Sequence, residues 1–388
     1  MSDWFFNSAT IEERAKAHSD RWLREKGDVI PLTVADPDFH VASEIKRAII
    51  NAVLNDDFGY TMADTSLEEK CAEKISGVNG ISAKAEDIHL TNGVIPGMAI
   101  AIRHACKEGD EVIVNDPMYY PFVMMTELHK TKPVKWNLHY EEGYRFDVER
   151  LKEIVTPKTK LIYLCNPHNP TGRVMTKEEL RGVADVAVDN NITVMSDELW
   201  EDVIFDDREH ISIASLNPEI ERLTMTQYGF SKAYNTAGLR LGYLCVTDEE
   251  TMKSARMQAF GGVMIPTNLA KAAGHVMISD EMEWWHKGLK AHLHKIRGIC
   301  ENWFDSMPNI SYPKLEGTYL MFPKFDYDMT SEKMEEYLVE KAKVRLEHGS
   351  IFGELGEGHQ RVLIATSEEI IIEALERLEK ALNELDAE

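Results

Sequence analysis

Short β-branched and apolar runs, each ending in small polar residues and followed by ten or more positions of helical periodicity, recur through the middle of the chain. That alternation predicts an α/β fold, a mostly parallel sheet covered by helices. Candidate strands are DIHL (87–90), EVIVN (111–115), KLIYLC (160–165), ITVMS (192–196), LTMTQ (223–227) and LGYLCV (241–246). Helical spacing is clearest over 96–107, over 177–190 behind Thr176 as N-cap, and over 367–384, where Ser367 precedes an amphipathic run of Ile, Leu and Glu. A long helical stretch from about 247 to 305 is expected to lead from the sheet into a second lobe. At 388 residues the chain exceeds a single core. The expected organisation is a large sheet domain (51–275), a C-terminal small domain (276–388) of α+β type, and an N-terminal segment (1–50) joining the small domain.

Composition narrows the function classes. Hydrophobic residues at 44% and charged ones at 28% suit a globular protein, and no apolar run is long enough for a membrane span. The N-terminus has no basic start and apolar core of a signal peptide, so the cytoplasm is the expected location. A net charge of −23 without a basic stripe argues against nucleic-acid partners. Five cysteines without a CxxC pair suggest reduced, mostly buried thiols. No metal site is expected, since there is no HExxH and His292 and His294 lie two apart on a predicted helix.

Ligands collect beyond the carboxyl ends of strands in a sheet of this kind, so the residues following each run carry the information. After DIHL, Gly93 permits a tight turn, and a helix opening at Val94 and Ile95 offers unpaired amides to an anion. After EVIVN comes the aromatic surface of Tyr119 and Tyr120. In NPHNPTG (166–172), two X–Pro steps predict extended backbone and leave the Asn169 amide free for a ligand. Asp197 follows ITVMS, where only a positive partner repays its desolvation. Beyond LTMTQ lies QYGFSKAYNTAGLRLGY, with Lys232 after Ser231 and Arg240 eight positions later. Singly these residues read as a turn, a core aromatic, a loop, an N-cap and solvated cations. Together they describe one ligand with a phosphate, a flat cationic ring and an aldehyde, which is pyridoxal 5′-phosphate.

The motifs PLTVADPDF (31–39), FGYT (58–61), TNGVIPG (91–97), NPHNPTG, SDELWED (196–202) and SKAYNTAGLRLGY (231–243) resemble, in order and spacing, the class I/II aminotransferases, fold type I pyridoxal-phosphate enzymes of the aspartate aminotransferase superfamily. The resemblance implies transfer of an amino group between an L-amino acid and a 2-oxo acid. It implies Lys232 as the residue forming a Schiff base with the cofactor and then acting as general base, and Asp197 as the partner of the ring nitrogen. It further implies Arg240 on the phosphate, Asn169 on the ring oxygen and Tyr119 stacked on the ring. Tyr60 is implied to reach the other subunit of a homodimer, and Arg361, in QRVLIA, to hold the substrate α-carboxylate, with Ala35 nearby. Three positions depart from the pattern. Trp200 stands where a tyrosine is usual, and Gly229 where many relatives have a phosphate-binding serine, so that Ser231 and the helix terminus have to compensate. The run ADPDF (35–39) lies between the aminotransferase form and that of the cystathionine β-lyase-like branch, whose members release pyruvate and ammonia. A C–S β-lyase is therefore the alternative activity.

Overall fold

A computed structural model describes residues 2–16, 19–260 and 265–387. Seven strands build the central sheet: β1 (Ile88–Thr91), β2 (Glu111–Asp116), β3 (Lys132–Asn137), β4 (Thr159–Cys165), β5 (Thr193–Asp197), β6 (Thr224–Gly229) and β7 (Gly242–Cys245). Their order across the sheet is β1-β7-β6-β5-β4-β2-β3. Only β7 runs against its neighbours; the other pairings are parallel. Six of these strands match the predicted runs to within two residues. The seventh, β3, escapes sequence reading because KPVKWN carries a proline and two lysines. That composition suits the sheet edge it occupies, where the Lys132 amide donates inward to Asp110 O, the missing Pro133 N–H falls on the open outer side, and charge discourages further pairing.

Side chains of β4 alternate between the two faces. Leu161, Tyr163 and Cys165 pack with Met98 and Ile102 of the helix Ile95–Ala105, whereas Ile162 and Leu164 pack with Leu180 and Val183 of the helix Lys177–Asn190. The second helix begins as predicted, with Thr176 and Glu179 forming a reciprocal capping box. Asn191 ends it in the left-handed conformation, φ 51°. The C-terminal helix Glu368–Ala387 starts behind Ser367, whose hydroxyl accepts from the Ile370 amide. The expected long helix between 247 and 305 is instead three, Glu249–Ala259, Asn268–Met277 and Glu283–Ser306, and residues 261–264 of that stretch lie outside the described residues. Pro266, Thr267 as an N-cap and Ser279 interrupt the apolar pattern that suggested continuity.

The two chain ends meet. Ile30–Pro31 pairs parallel with Val344–Arg345, and Asp38 receives Thr366 Oγ1 at 2.8 Å while its amide donates to Ala365 O. This docking carries residues 31–39 to the edge where β1, β5 and β6 end. Among the described residues no helix is long and apolar enough to cross a membrane.

Candidate active site

Strand register explains which residues converge. Cys165, Asp197 and Gln227 are direct partners across β4, β5 and β6, and Gly229, Gly242 and Thr91 form a second row one step further out. Because β7 is antiparallel, its entry residues and the exits of β1 and β6 lie at the same edge. Gly93, just past β1, therefore faces Arg240, just before β7. A Cβ at Gly93 would stand 3.4 Å from an Arg240 guanidinium nitrogen. Gly93 has φ 83°, a conformation that favours glycine. The first intrahelical bonds of Ile95–Ala105 run from Gly97 and Met98 to Val94 O, so the amides of Val94 and Ile95 precede the ladder. A guanidinium and a helix N-terminus thus share one corner, a combination that suits an anion.

This corner opens into a cavity of about 300 Å³ whose lining includes Lys232, Asp197, Asn169, Trp200 and Arg361. Gly93, Val94, Ile95, Tyr119, Ser231 and Ala35 also border it, so every site residue picked from the sequence is there except Tyr60. Tyr60 is 98% exposed, in a loop held by Asn268, whose amide donates to Asp57 and to Gly59 O.

Lys232 leaves β6 on the short helix Ser231–Tyr234, and its Nζ donates to Ala35 O at 2.5 Å. Burial lowers its pKa to about 8, with Arg361 and Arg240 adding to the depression and Asp36 and Asp197 opposing it. The Trp200 ring lies 5.6 Å from Nζ and packs edge-on against Tyr319 at 4.6 Å. Trp200 is 2% exposed, so the departure from tyrosine fills the floor of the cavity with an indole.

Asp197 is buried at the end of β5 and accepts the Leu199 amide at 3.3 Å. Burial pushes its carboxyl up to about 7 despite that bond and the proximity of Lys232. Behind it, Glu198 accepts from Ser196, Ser212 and Asn79 and pairs with His210 at 2.9 Å. Glu198, Glu201 and His210 bring ligand-type atoms within 4.8 Å of one another, but Lys74 and Asn79 already bond the carboxylates, so the group is a closed internal network.

Arg361 is 4% exposed on the strand Gln360–Leu363, so its guanidinium is held inside the protein. It donates to Glu347 at 3.0 Å and to Asn169 Oδ1 at 3.1 Å, and lies over the Phe352 ring. Arg361 thus occupies Asn169 Oδ1, and among the described residues the Asn169 amide nitrogen donates to no protein group, as the sequence suggested. Both X–Pro bonds of NPHNP are cis, and the Asn169 carbonyl accepts the Tyr119 amide at 3.1 Å. Tyr119 is partly buried, which raises its hydroxyl pKa to about 12. At Gly229 a Cβ would press to 2.9 Å on the side-chain methyls of Leu199 and Val94, so any larger residue there requires those side chains to shift.

Asp20, Arg24, Val34, Leu199, Leu241 and Glu347 line the cavity without having been singled out in the sequence. Leu199 and Leu241 sit inside recognised motifs; Asp20, Arg24 and Glu347 belong to segments remote from those motifs and without a local signature.

Residues 27–378 match the family described as aminotransferase class I and II. An aspartate aminotransferase of Pyrococcus horikoshii is 32% identical over 92% of this chain and 91% of its own length. The solved structure of cystalysin from Treponema denticola, which contains pyridoxal 5′-phosphate, superimposes with a TM-score of 0.92 at 28% identity, covering 98% of this chain and 99% of that one. Cystathionine beta-lyase PatB of Bacillus subtilis is 28% identical over 96% of this chain and 98% of its own length.

Proposed function

Because the chain belongs to the class I and II aminotransferase family and is a pyridoxal-phosphate-dependent transaminase, we propose the part that each of its residues plays in moving an amino group between an L-amino acid and a 2-oxo acid. The observation that carries the reading is the meeting of Lys232, Asp197 and the Gly93–Arg240 corner in one cavity.

The residues fit pyridoxal 5′-phosphate: an anion corner at one end, a buried carboxylate at about pKa 7 that a cationic ring nitrogen would satisfy, and a lysine with a depressed pKa. Arg240, the Val94 and Ile95 amides and Ser231 would hold the phosphate, Asp197 the ring nitrogen, and Tyr119 and Trp200 the ring. When bound, the cofactor supplies an aldehyde and an electron-withdrawing ring. Lys232 Nζ, neutral in an appreciable fraction near pH 8, takes up and delivers the substrate Cα proton, and Ala35 O orients it. Arg361, held by Glu347 and Asn169, receives the substrate α-carboxylate. The division into domains at about residues 50 and 275 remains part of the same proposal.

Two assays test the activity. An L-amino acid with 2-oxoglutarate is expected to yield the new oxo acid and glutamate; pyruvate and ammonia from cystathionine alone would support the lyase reading, which the likeness to the cystathionine beta-lyase PatB favours. Overturning the transaminase reading requires the second result without the first.

The homodimer and the cytoplasmic location belong to the same proposal. Tyr60 at 98% exposure, between Phe58 at 66% and Met62 at 77%, supports a subunit interface, because three large apolar side chains in one loop are costly to leave in water. Sedimentation is expected to give a dimer, and Tyr60→Ala to weaken cofactor retention several-fold. A monomer of unchanged cofactor affinity would sink this assignment.

A further inference from the structure

Gln227 is a polar residue on an apolar face. Strands β5 and β6 pair Met195 with Met225 and, two positions further along, Asp197 with Gln227, so all four side chains leave the sheet on one side. Met195 and Met225 belong there to the apolar cluster that includes Met98 and Ile102 of the helix Ile95–Ala105. The Glu198 amide donates to Gln227 O at 3.0 Å, which holds the two strands in register to the end of that row. Gln227 is 1% exposed, and among the described residues neither its Oε1 nor its Nε2 completes a hydrogen bond. A buried amide without partners is costly, and an apolar residue would continue the methionine column at no such cost.

Two neighbours give the amide a purpose. Burial raises the Asp197 carboxyl, and the Gln227 amide is, after the Leu199 N–H, the group that most opposes it. On the helix side stands Gly97, where a Cβ would lie 2.3 Å from Gln227 Oε1. Gly97 is not among the residues of positive φ, so its backbone does not require glycine, and a glycine weakens a helix. The room that the amide needs accounts for it.

We propose that Gln227 is a positioning residue for Asp197, whose amide accepts a hydrogen bond from the protonated carboxyl and, turned about, donates one to the carboxylate that faces the ring nitrogen of the cofactor. The inference rests on the pairing of Asp197 with that nitrogen and names the group that steadies the carboxyl through its change of charge.

That change of charge selects an amide. The carboxyl is pushed up to about 7, so without the cofactor it carries its proton below that pH. On loading, the proton goes to the ring nitrogen, and both carboxylate oxygens become acceptors. The Leu199 N–H is a donor in either case and serves the ionised form. A glutamine amide carries an acceptor and a donor side by side, and a half-turn of its terminal torsion exchanges them. The donated bond goes to a charge and the accepted one does not, so the amide favours the ionised form on balance.

Gln227→Met keeps the length of the side chain and removes two buried polar atoms that lack partners, so the variant is expected to fold. Two measurements separate positioning from packing. In the cofactor-free chain, the fall of Tm with rising pH that Asp197 causes is expected to move to higher pH by about one pH unit, because the carboxyl then keeps its proton longer. Titration of pyridoxal 5′-phosphate into the cofactor-free chain at pH 7, followed by absorbance, is expected to show an affinity about tenfold lower in Gln227→Met. The same substitution in the Asp197→Asn background is expected to change the affinity by less than about twofold, since no charge then changes at that position. An equal loss in both backgrounds, no loss in either, or an unmoved Tm profile overturns the role of Gln227. An unchanged affinity in Asp197→Asn alone overturns the pairing of Asp197 with the ring nitrogen, and the inference with it.

Discussion

Replacing Lys232 with alanine is expected to lower turnover by roughly 10⁴-fold, the upper range for loss of a positioned proton carrier. Borohydride treatment of the holoenzyme is expected to attach the cofactor covalently at Lys232 in wild type and nowhere in the variant. The reason lies in the surroundings of Nζ: burial lowers the pKa to about 8, and the single geometric anchor is Ala35 O at 2.5 Å. An ordinary lysine near pKa 10.4 is neutral in well under about one part in a hundred at pH 8, whereas this one is about half neutral. Addition of a small primary amine to Lys232→Ala is expected to restore part of the rate, since the cavity left by the side chain admits one. Full turnover by the variant, or covalent fixation elsewhere, would disprove the assignment.

Asp197→Asn is expected to lower turnover by about 10³-fold and to stabilise the cofactor-free protein at the same time. Asparagine keeps the shape but removes the charge proposed to face the ring nitrogen, so catalysis is expected to fall. The stability effect follows from the direction of the shift. The carboxyl has a pKa of about 7 in the folded protein against the 3.8 of an ordinary aspartate, so the folded state holds the proton more tightly than the unfolded one. That contribution is fully present below about pH 4 and is lost as pH rises through about 7. Without cofactor, wild type is therefore expected to lose thermal stability relative to Asp197→Asn between pH 5 and pH 8, by a few degrees in Tm. With cofactor bound the order is expected to reverse, because the charge then has its partner. Equal Tm differences at pH 5 and pH 8 without cofactor would show that burial is not what raises this carboxyl.

The two experiments separate two kinds of site residue. Lys232 is soft, half-buried and surrounded by charges of both signs, so its pKa is a compromise. Asp197 is buried in a strand row between Cys165 and Gln227, and its shift comes chiefly from lost solvent. Burial is the largest cause of both shifts, and the charges around Lys232, of both signs, only modify the first.

Most of the sheet was legible because each buried parallel strand is a compact apolar run between turn signals, as in KLIYLC and ITVMS. The edge strand KPVKWN was not, since solvent on its outer side relaxes the demand for apolar residues. Gly93, Asp197 and Lys232 were legible for a related reason. In this topology the residue after a strand is where a ligand meets the chain, so local position announces the role.

Other features depend on segments far apart in sequence. Arg361 reaches Asn169 across 192 positions, which makes the oxygen of that amide the support of an arginine, a second task that the local sequence did not announce. Gly229 is decided by Leu199 and Val94, which only the folded sheet brings to 2.9 Å from its missing side chain. The Asp20–Arg24 pair looks in sequence like any exposed helical ion pair, and becomes part of the cavity only because Arg21 and Trp22 bind Asp38. By itself, then, the sequence determined six of the seven strands of the central sheet, the capped helix starts and which polar residues follow the strands, because each of these is written in a few neighbouring residues. The tertiary structure decided which of those groups already have partners, how deep each lies and what lines the mouth, because burial and long-range hydrogen bonds are properties of the packed chain and of no local segment.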